Sequence, residues 1–148
     1  MSIWLLFRAR TRLCGVPVER LVETMRPLPA EPFPGTPPFV MGLARIRGAA
    51  VPVIDLGALL GSKEPPLPTR FLTLRLDDRR VALAVESVVG VRELAPDVLS
   101  ELPLLLAHAD QTAVAAIGTL DAELLLSLET TRIVPDRLWP LLDAGGSA

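Results

Sequence analysis

Proline is the residue that most limits what this chain of 148 residues can fold into, because it occurs 15 times. Its ring fixes φ and it has no N–H to donate, so it interrupts helices and interior strands. Six prolines fall within residues 27–38 and three within residues 62–68. We predict that both ranges are surface connections, although the PxxP spacings in the first would also suit a polyproline ligand. With only 4% aromatic residues, the pattern favours a mainly β fold with short helices.

Residues 42–61 predict a β-hairpin. Two apolar runs flank Gly48, and glycine takes positive φ without steric cost. Arg47 comes just before the turn, where a guanidinium among apolar residues has to reach water or a carboxylate. Glu23 is the carboxylate of the first half that we expect on the same face. We therefore predict an ion pair between Arg47 and Glu23.

The amino-terminal residues 3–13 alternate as a single half-buried strand would. Arg8, Arg10 and Arg12 fall on one face, and we interpret them as a solvated stripe that discourages edge pairing. Residues 18–26 fit either a helix or a turn followed by a strand, and the pattern leaves both open.

Two short helices are predicted in the second half. Residues 95–102 carry a proline near their start, and residues 135–143 begin with a proline at the first helical position. We expect Pro140 to shorten or kink the second helix.

The second half of the sequence is similar to the first. A shift of 67 residues aligns Leu5 with Leu72, and a shift of 74 aligns Ile54 with Leu128. Two long colinear blocks favour an internal duplication within a single domain that covers residues 1–148. The half-repeats span about 1–62 and 68–135, each with about five short strands, and a short carboxy-terminal helix follows at about 135–143.

Composition and charge exclude several classes of function. The net charge of −2 and the absence of a basic run argue against nucleic acid as a partner. The longest apolar runs fall far short of the roughly 18 residues that cross a bilayer, so we expect no membrane insertion. The first residues do not resemble a secretion signal, and the single cysteine permits no internal disulfide. These features predict a cytoplasmic protein.

No set of catalytic residues or cofactor ligands is visible in the sequence. His108 is the only histidine and Cys14 the only cysteine, and neither has a partner at a useful spacing. The glycines are spaced as turns rather than as a phosphate-binding loop. The residues therefore predict a β module that is not an enzyme and needs no cofactor or metal.

Four strings of residues resemble those of the CheW family of chemotaxis coupling proteins. They are CGVPV at 14–18, GTPPFVMG at 35–42, IRGAAVPVIDL at 46–56 and RRVALAVE at 79–86. The resemblance covers nearly the whole chain and implies two SH3-like, five-stranded β-barrels. The sequence departs from the family where Ala44-Arg45-Ile46 stands in place of the usual asparagine and leucine before the arginine.

The resemblance implies a cytoplasmic adaptor that joins the tips of methyl-accepting chemoreceptors to a CheA-type histidine kinase. A CheW-like scaffold of a non-chemotaxis two-component system is one alternative. The other alternative is a module that binds a small molecule in the groove between the barrels. Converging polar groups in that groove would favour the small molecule, whereas an exposed apolar stripe would favour a partner helix.

The resemblance also assigns two partner surfaces. The receptor tip is a helical hairpin, and Leu21, Glu23 and Arg47 of the first barrel, with Val88 of the second, are expected to contact it. The regulatory domain of the kinase is expected near Gly42, where a missing side chain lets another strand approach closely.

Overall fold

The computed structural model describes residues 2–101 and 113–146, which form eleven short strands and two short helices. The strands are β1 (Ser2–Ala9), β2 (Arg12–Pro17), β3 (Leu21–Met25), β4 (Val40–Ile46), β5 (Ala49–Asp55), β6 (Arg70–Leu76), β7 (Arg79–Val85), β8 (Ser87–Leu94), β9 (Leu99–Glu101), β10 (Val114–Leu120) and β11 (Glu123–Leu128). The helices are α1 (Leu56–Leu59) and α2 (Trp139–Gly146), and 3₁₀ turns cover Val18–Arg20, Thr130–Arg132 and Asp136–Leu138. The predicted mainly β fold with short helices is confirmed.

The strands form two sheets, and each sheet combines strands from before and after residues 62–68. One sheet has the order β8-β1-β2-β11-β10-β9, and the other has the order β3-β6-β7-β5-β4. The predicted border between the half-repeats is therefore not a border between sheets. The half-repeats themselves stay a prediction.

The pairing of strands is symmetric under exchange of the two halves. Leu5 lies opposite Val16 in one sheet, and Leu72 lies opposite Leu83 in the other, which is the same register after a shift of 67. A parallel pair occurs once in each sheet, between β11 and β2 and between β5 and β7. This symmetry of register is what two similar five-stranded units would produce, with β9 added at one edge of one of them. We call the unit of β3 to β7 the first barrel and the unit that contains β1, β2, β8, β10 and β11 the second barrel.

Three apolar clusters account for the packing of the described residues. The largest lies between the two sheets and contains Phe7, Leu72, Ile54 and Leu128, the last two of which the shift of 74 aligns with each other. Each of the other two lies on the opposite face of one of the sheets. A sheet with apolar side chains on both faces can bury one set of them by curling over it, as a small barrel does.

The hairpin predicted at residues 42–61 is confirmed as β4 and β5, with Arg47 and Gly48 in the turn. The two possibilities left open for residues 18–26 resolve as a 3₁₀ turn followed by β3. The helix predicted at 95–102 is wrong, because residues 99–101 pair with β10 as β9. Leu102 and His108 lie outside the described residues. Pro140 falls in the first turn of α2, where it removes no intrahelical hydrogen bond.

The prediction of a single half-buried strand over residues 3–13, with its three arginines in solvent, is also wrong. The chain turns at Arg10 and Thr11, so this range contributes to two paired strands. The guanidinium of Arg10 makes two 2.8 Å contacts with the carboxylate of Asp55 and one of 3.1 Å with Glu86. The exposed fractions of these three side chains are only 8%, 6% and 15%. Arg10 faces inward because the turn directs it toward the end of β5.

The space for the Arg10 guanidinium comes from Gly57. A Cβ at this position would lie 2.5 Å from Nη1 of Arg10, so a larger residue would displace the ion pair. The Asp55 carboxylate raises the pKa of Arg10 through these hydrogen bonds, and the guanidinium also donates to the carbonyl of Glu64 at 2.9 Å.

We expect Arg10→Met to lower the free energy of unfolding by about 3–5 kcal/mol, because it leaves two buried carboxylates without their cation. Arg12→Met is the matched control, since Arg12 is exposed and should change stability by less than about 0.5 kcal/mol. Urea unfolding followed by circular dichroism measures both. Equal stabilities for the two variants would contradict the structural role of Arg10.

Cys14 is fully buried between the sheets, and burial raises the pKa of its thiol to about 12. Alkylation requires the thiolate, so at pH 8 the folded protein should not react with iodoacetamide. Mass spectrometry should find the label only after unfolding in denaturant. Rapid labelling of the folded protein would show that Cys14 is accessible.

Candidate functional site

Glu23 and Arg47 form an ion pair on the surface, as the sequence predicts. Nε of Arg47 donates to one carboxylate oxygen at 3.2 Å, and Nη2 donates to the other at 3.1 Å. These hydrogen bonds raise the pKa of the guanidinium. The side chain of Arg47 is 70% exposed and that of Glu23 is 27% exposed. The pair is therefore fixed in position but open to solvent.

The hairpin turn fixes the position of Arg47. Arg47 and Gly48 both have positive φ, 53° and 81°, as the central residues of a type I′ turn do. This turn joins β5 and β4, the last two strands of the sheet order, whereas Glu23 is on the first strand, β3. The ion pair thus joins opposite ends of the sheet and shows that the sheet is curled.

A β-bulge fixes the position of Glu23. The register of β3 against β6 shifts between Leu21 and Glu23, so one extra residue is accommodated there. The hydroxyl of Thr73 accepts from the Glu23 N–H at 3.1 Å and lies 3.3 Å from its carbonyl oxygen. Thr73 is buried, so the backbone at the bulge is held from inside the protein.

The bulge also places two of the predicted receptor-binding residues, Leu21 and Glu23, on opposite faces of β3. Leu21 lies opposite Leu74 and packs against the core between the sheets, whereas Glu23 lies opposite Thr73 on the other face. Val88 of β8 packs against the same core as Leu21. The structure therefore groups Leu21 with Val88, and Glu23 with Arg47.

The second unit carries a counterpart of the ion pair that sequence reasoning missed. Arg92 of β8 contacts Asp121, which lies in the turn between β10 and β11, at 2.9 Å. The shift of 74 that aligns the two halves takes Arg47 to Asp121. The shift of 67 takes Glu23 to Gly90, two residues before Arg92, and the order of the charges is reversed, so the alignment of the two halves does not reveal this pair.

An apolar strip accompanies this second pair. Ile3, Val89 and Val91 are large apolar side chains that remain exposed on β1 and β8. β8 is the first strand in its sheet order, so its outer edge has no neighbouring strand among the described residues. An apolar edge of this kind is typical of a surface that binds another protein.

Gly42 is close to another backbone, but that backbone belongs to the same chain. Its φ is 139°, and a Cβ would lie 2.1 Å from the carbonyl oxygen of Glu31 and 2.9 Å from the nitrogen of Pro32. Glu31 and Leu43 exchange two backbone hydrogen bonds of 2.9 Å. Any partner that approaches Gly42 would therefore meet the loop at residues 31–32.

A shallow groove of about 460 Å³ lies between the start of β5, the start of β7 and α2. Arg79 borders it, with its guanidinium 4.4 Å from the ring centre of Trp139 and 2.8 Å from both carboxylate oxygens of Asp143.

Within residues 2–101 and 113–146, no three His, Cys, Asp or Glu residues come together as metal ligands would. In the same ranges no helix is long and apolar enough to cross a membrane.

Residues 4–138 match the model of the CheW-like domain. The chain is 24% identical to Chemotaxis protein CheW of Rhizobium meliloti over 109 residues, which cover 72% of this chain and 70% of that protein. It is 33% identical to Protein FrzA of Myxococcus xanthus over 90 residues, 60% of this chain and 56% of FrzA. It is 32% identical to Protein PilI of Pseudomonas aeruginosa over 97 residues, 64% of this chain and 54% of PilI.

The fold agrees with a solved structure. The crystal structure of scaffolding protein TtCheW from Thermoanaerobacter tengcongensis superimposes with a TM-score of 0.74 at 22% identity, over 86% of this chain and 88% of that one. The family match, the named relatives and the shared fold agree with one another, and the chain belongs to the CheW family.

Proposed function

We propose that this protein is a cytoplasmic adaptor that couples chemoreceptors to a CheA-type histidine kinase and has no enzymatic activity of its own. The observation that carries the proposal is the ion pair between Glu23 and Arg47. Its geometry is bidentate, yet the guanidinium is largely exposed. Exposed ion pairs contribute little to stability. The turn and the bulge that hold this pair in place therefore contribute more to recognition of a partner than to the stability of the fold.

For the receptor tip, we propose contacts of two kinds. Leu21 and Val88 are half-buried at the border of the core between the sheets and offer an apolar contact to a helix. Glu23, on the other face of β3, and Arg47, which reaches it from the turn between β4 and β5, offer a fixed polar group. A helical hairpin has two helices, so one helix can pack on the apolar contact while the other meets the polar group.

For the kinase, we propose a contact on the first barrel near Gly42. The exposed backbone there belongs to the loop at residues 31–32. Gly42 leaves room for this loop because it has no Cβ, and backbone hydrogen bonds with Leu43 fix the position of the loop. Gly42 therefore acts on this contact through the position of the loop.

Arg47→Ala is expected to weaken binding to a receptor cytoplasmic fragment at least tenfold while the melting temperature stays nearly unchanged. Arg45→Ala is the matched control, because Arg45 is also exposed on this hairpin but has no carboxylate partner among the described residues. Isothermal titration calorimetry with the receptor fragment and circular dichroism melts give the two readouts. Equal affinities for both variants and the parent protein would refute the receptor assignment.

Gly42→Val is expected to lower both the melting temperature and the affinity for the kinase regulatory domain, because the new side chain has to displace Glu31 and Pro32. Gly48→Asn is the control, since nothing lies within 4 Å of a Cβ at Gly48 and asparagine tolerates positive φ. If a Gly42→Val protein with a displaced loop still binds the kinase normally, the kinase contact lies elsewhere on the protein.

A scaffold in a related signalling system is the second candidate. FrzA and PilI are 33% and 32% identical to this chain, compared with 24% for the Rhizobium meliloti CheW protein. Co-purification with receptors and kinases encoded in the same genome distinguishes the two candidates.

A further inference from the structure

Two arginines face each other at one end of the first barrel. Arg75 of β6 and Arg80 of β7 are directly opposite in the antiparallel ladder, and both are exposed. Directly opposite residues have Cβ atoms about 4.5–5.5 Å apart, and like charges in this arrangement repel. Neither side chain forms an ion pair or hydrogen bond with any residue of the described ranges. These guanidiniums therefore have free donors side by side.

The nearby charges do not occupy these donors. Asp77 and Asp78 form the turn that follows Arg75, and they border the same small cavity of about 210 Å³ without contacting either arginine as an ion pair. Arg79, the remaining cation of this turn, already binds Asp143. The turns of β4–β5 and β6–β7 lie at the same end of the barrel, because β5 and β7 are parallel. Arg75 and Arg80 thus share this end with the Glu23–Arg47 pair.

The second barrel shows what such an arginine binds. Arg8 is the counterpart of Arg75 under the shift of 67, and its guanidinium binds Glu123 through both carboxylate oxygens, with Nη2 at 3.0 Å from Oε1. The Arg8 hydrogen bonds lower the pKa of Glu123, so the carboxylate stays ionised. The shift of 74 takes Glu123 to Ala49. The first barrel therefore keeps the arginine and lacks the glutamate.

We propose that Arg75 and Arg80 form a binding site for a carboxylate that a protein partner supplies, in the role that Glu123 has for Arg8. The partner is the receptor helical hairpin, so this step rests on the proposed function. A glutamate on one helix of the hairpin enters between the two guanidiniums while the hairpin contacts Arg47 at the same end of the barrel. Two arginine forks around one carboxylate supply a stronger anchor than the single exposed pair.

The first test needs no partner. Ala49→Glu restores the missing carboxylate, so its melting temperature should exceed that of Ala49→Gln by about 2 °C. The gain should disappear when Arg75→Gln and Arg80→Gln are added. A gain that is independent of these arginines, or no gain at all, would overturn the carboxylate site.

The second test measures the affinity for the receptor cytoplasmic fragment. Arg75→Gln with Arg80→Gln should raise the Kd about tenfold, and Ala49→Glu should also weaken binding because its carboxylate competes. Arg26→Gln, an exposed arginine after β3 at the opposite end of the barrel, is the control and should bind normally.

The outcomes separate this site from the proposed function. If Arg47→Ala weakens binding and the Arg75 and Arg80 variants do not, the adaptor function stands and the carboxylate site is refuted. If the unaltered protein does not bind the fragment, the receptor function fails and the proposed glutamate contact fails with it. Each receptor glutamate can then be replaced by glutamine in turn. For the glutamate that enters the site, the loss of affinity should not add to the loss caused by replacing Arg75 and Arg80.

Discussion

The buried ion pair of Arg10 with Asp55 and Glu86 joins parts of the chain that no single ladder connects. Arg10 lies in the turn of β1 and β2, Asp55 ends β5 in the other sheet, and Glu86 lies where β7 passes into β8. Glu86 also accepts the N–H of Leu67, which ties down the proline-rich connection. Three desolvated charges are tolerable only when their geometry is complete, so this cluster fixes how the two sheets meet.

Equivalent strand ladders in the two sheets have different charged side chains at their ends. The first barrel has Glu23 on the strand and Arg47 in the turn, whereas the second has Arg92 on the strand and Asp121 in the turn. Asp55 and Glu129 occupy equivalent positions, and each accepts a hydrogen bond from a backbone N–H of the turn that follows it. Equivalent backbone positions keep their structural role while the exposed side chains differ. The exposed ends of the barrels are therefore where the two units differ in their charged side chains.

Sequence patterns identified much of the fold and part of the site. The hairpin around Gly48 and the Glu23–Arg47 pair followed from local turn chemistry and the need of a guanidinium for a carboxylate. The helix predicted at 95–102 failed because a local pattern does not include the pairing of residues 99–101 with β10. The prediction of a solvated arginine stripe failed for a similar reason. A turn at residues 10 and 11 reverses the chain and directs Arg10 inward.

By itself the sequence determined the class of fold, since 15 prolines and repeated β-branched runs permit only short elements. It also determined the internal similarity of the two halves. Only the tertiary structure decided that each sheet takes strands from both halves, that Gly42 lies beneath residues 31–32 and that Arg75 faces Arg80. The physical reason is that these contacts join residues distant in the chain, and their register depends on how whole sheets curl and pack.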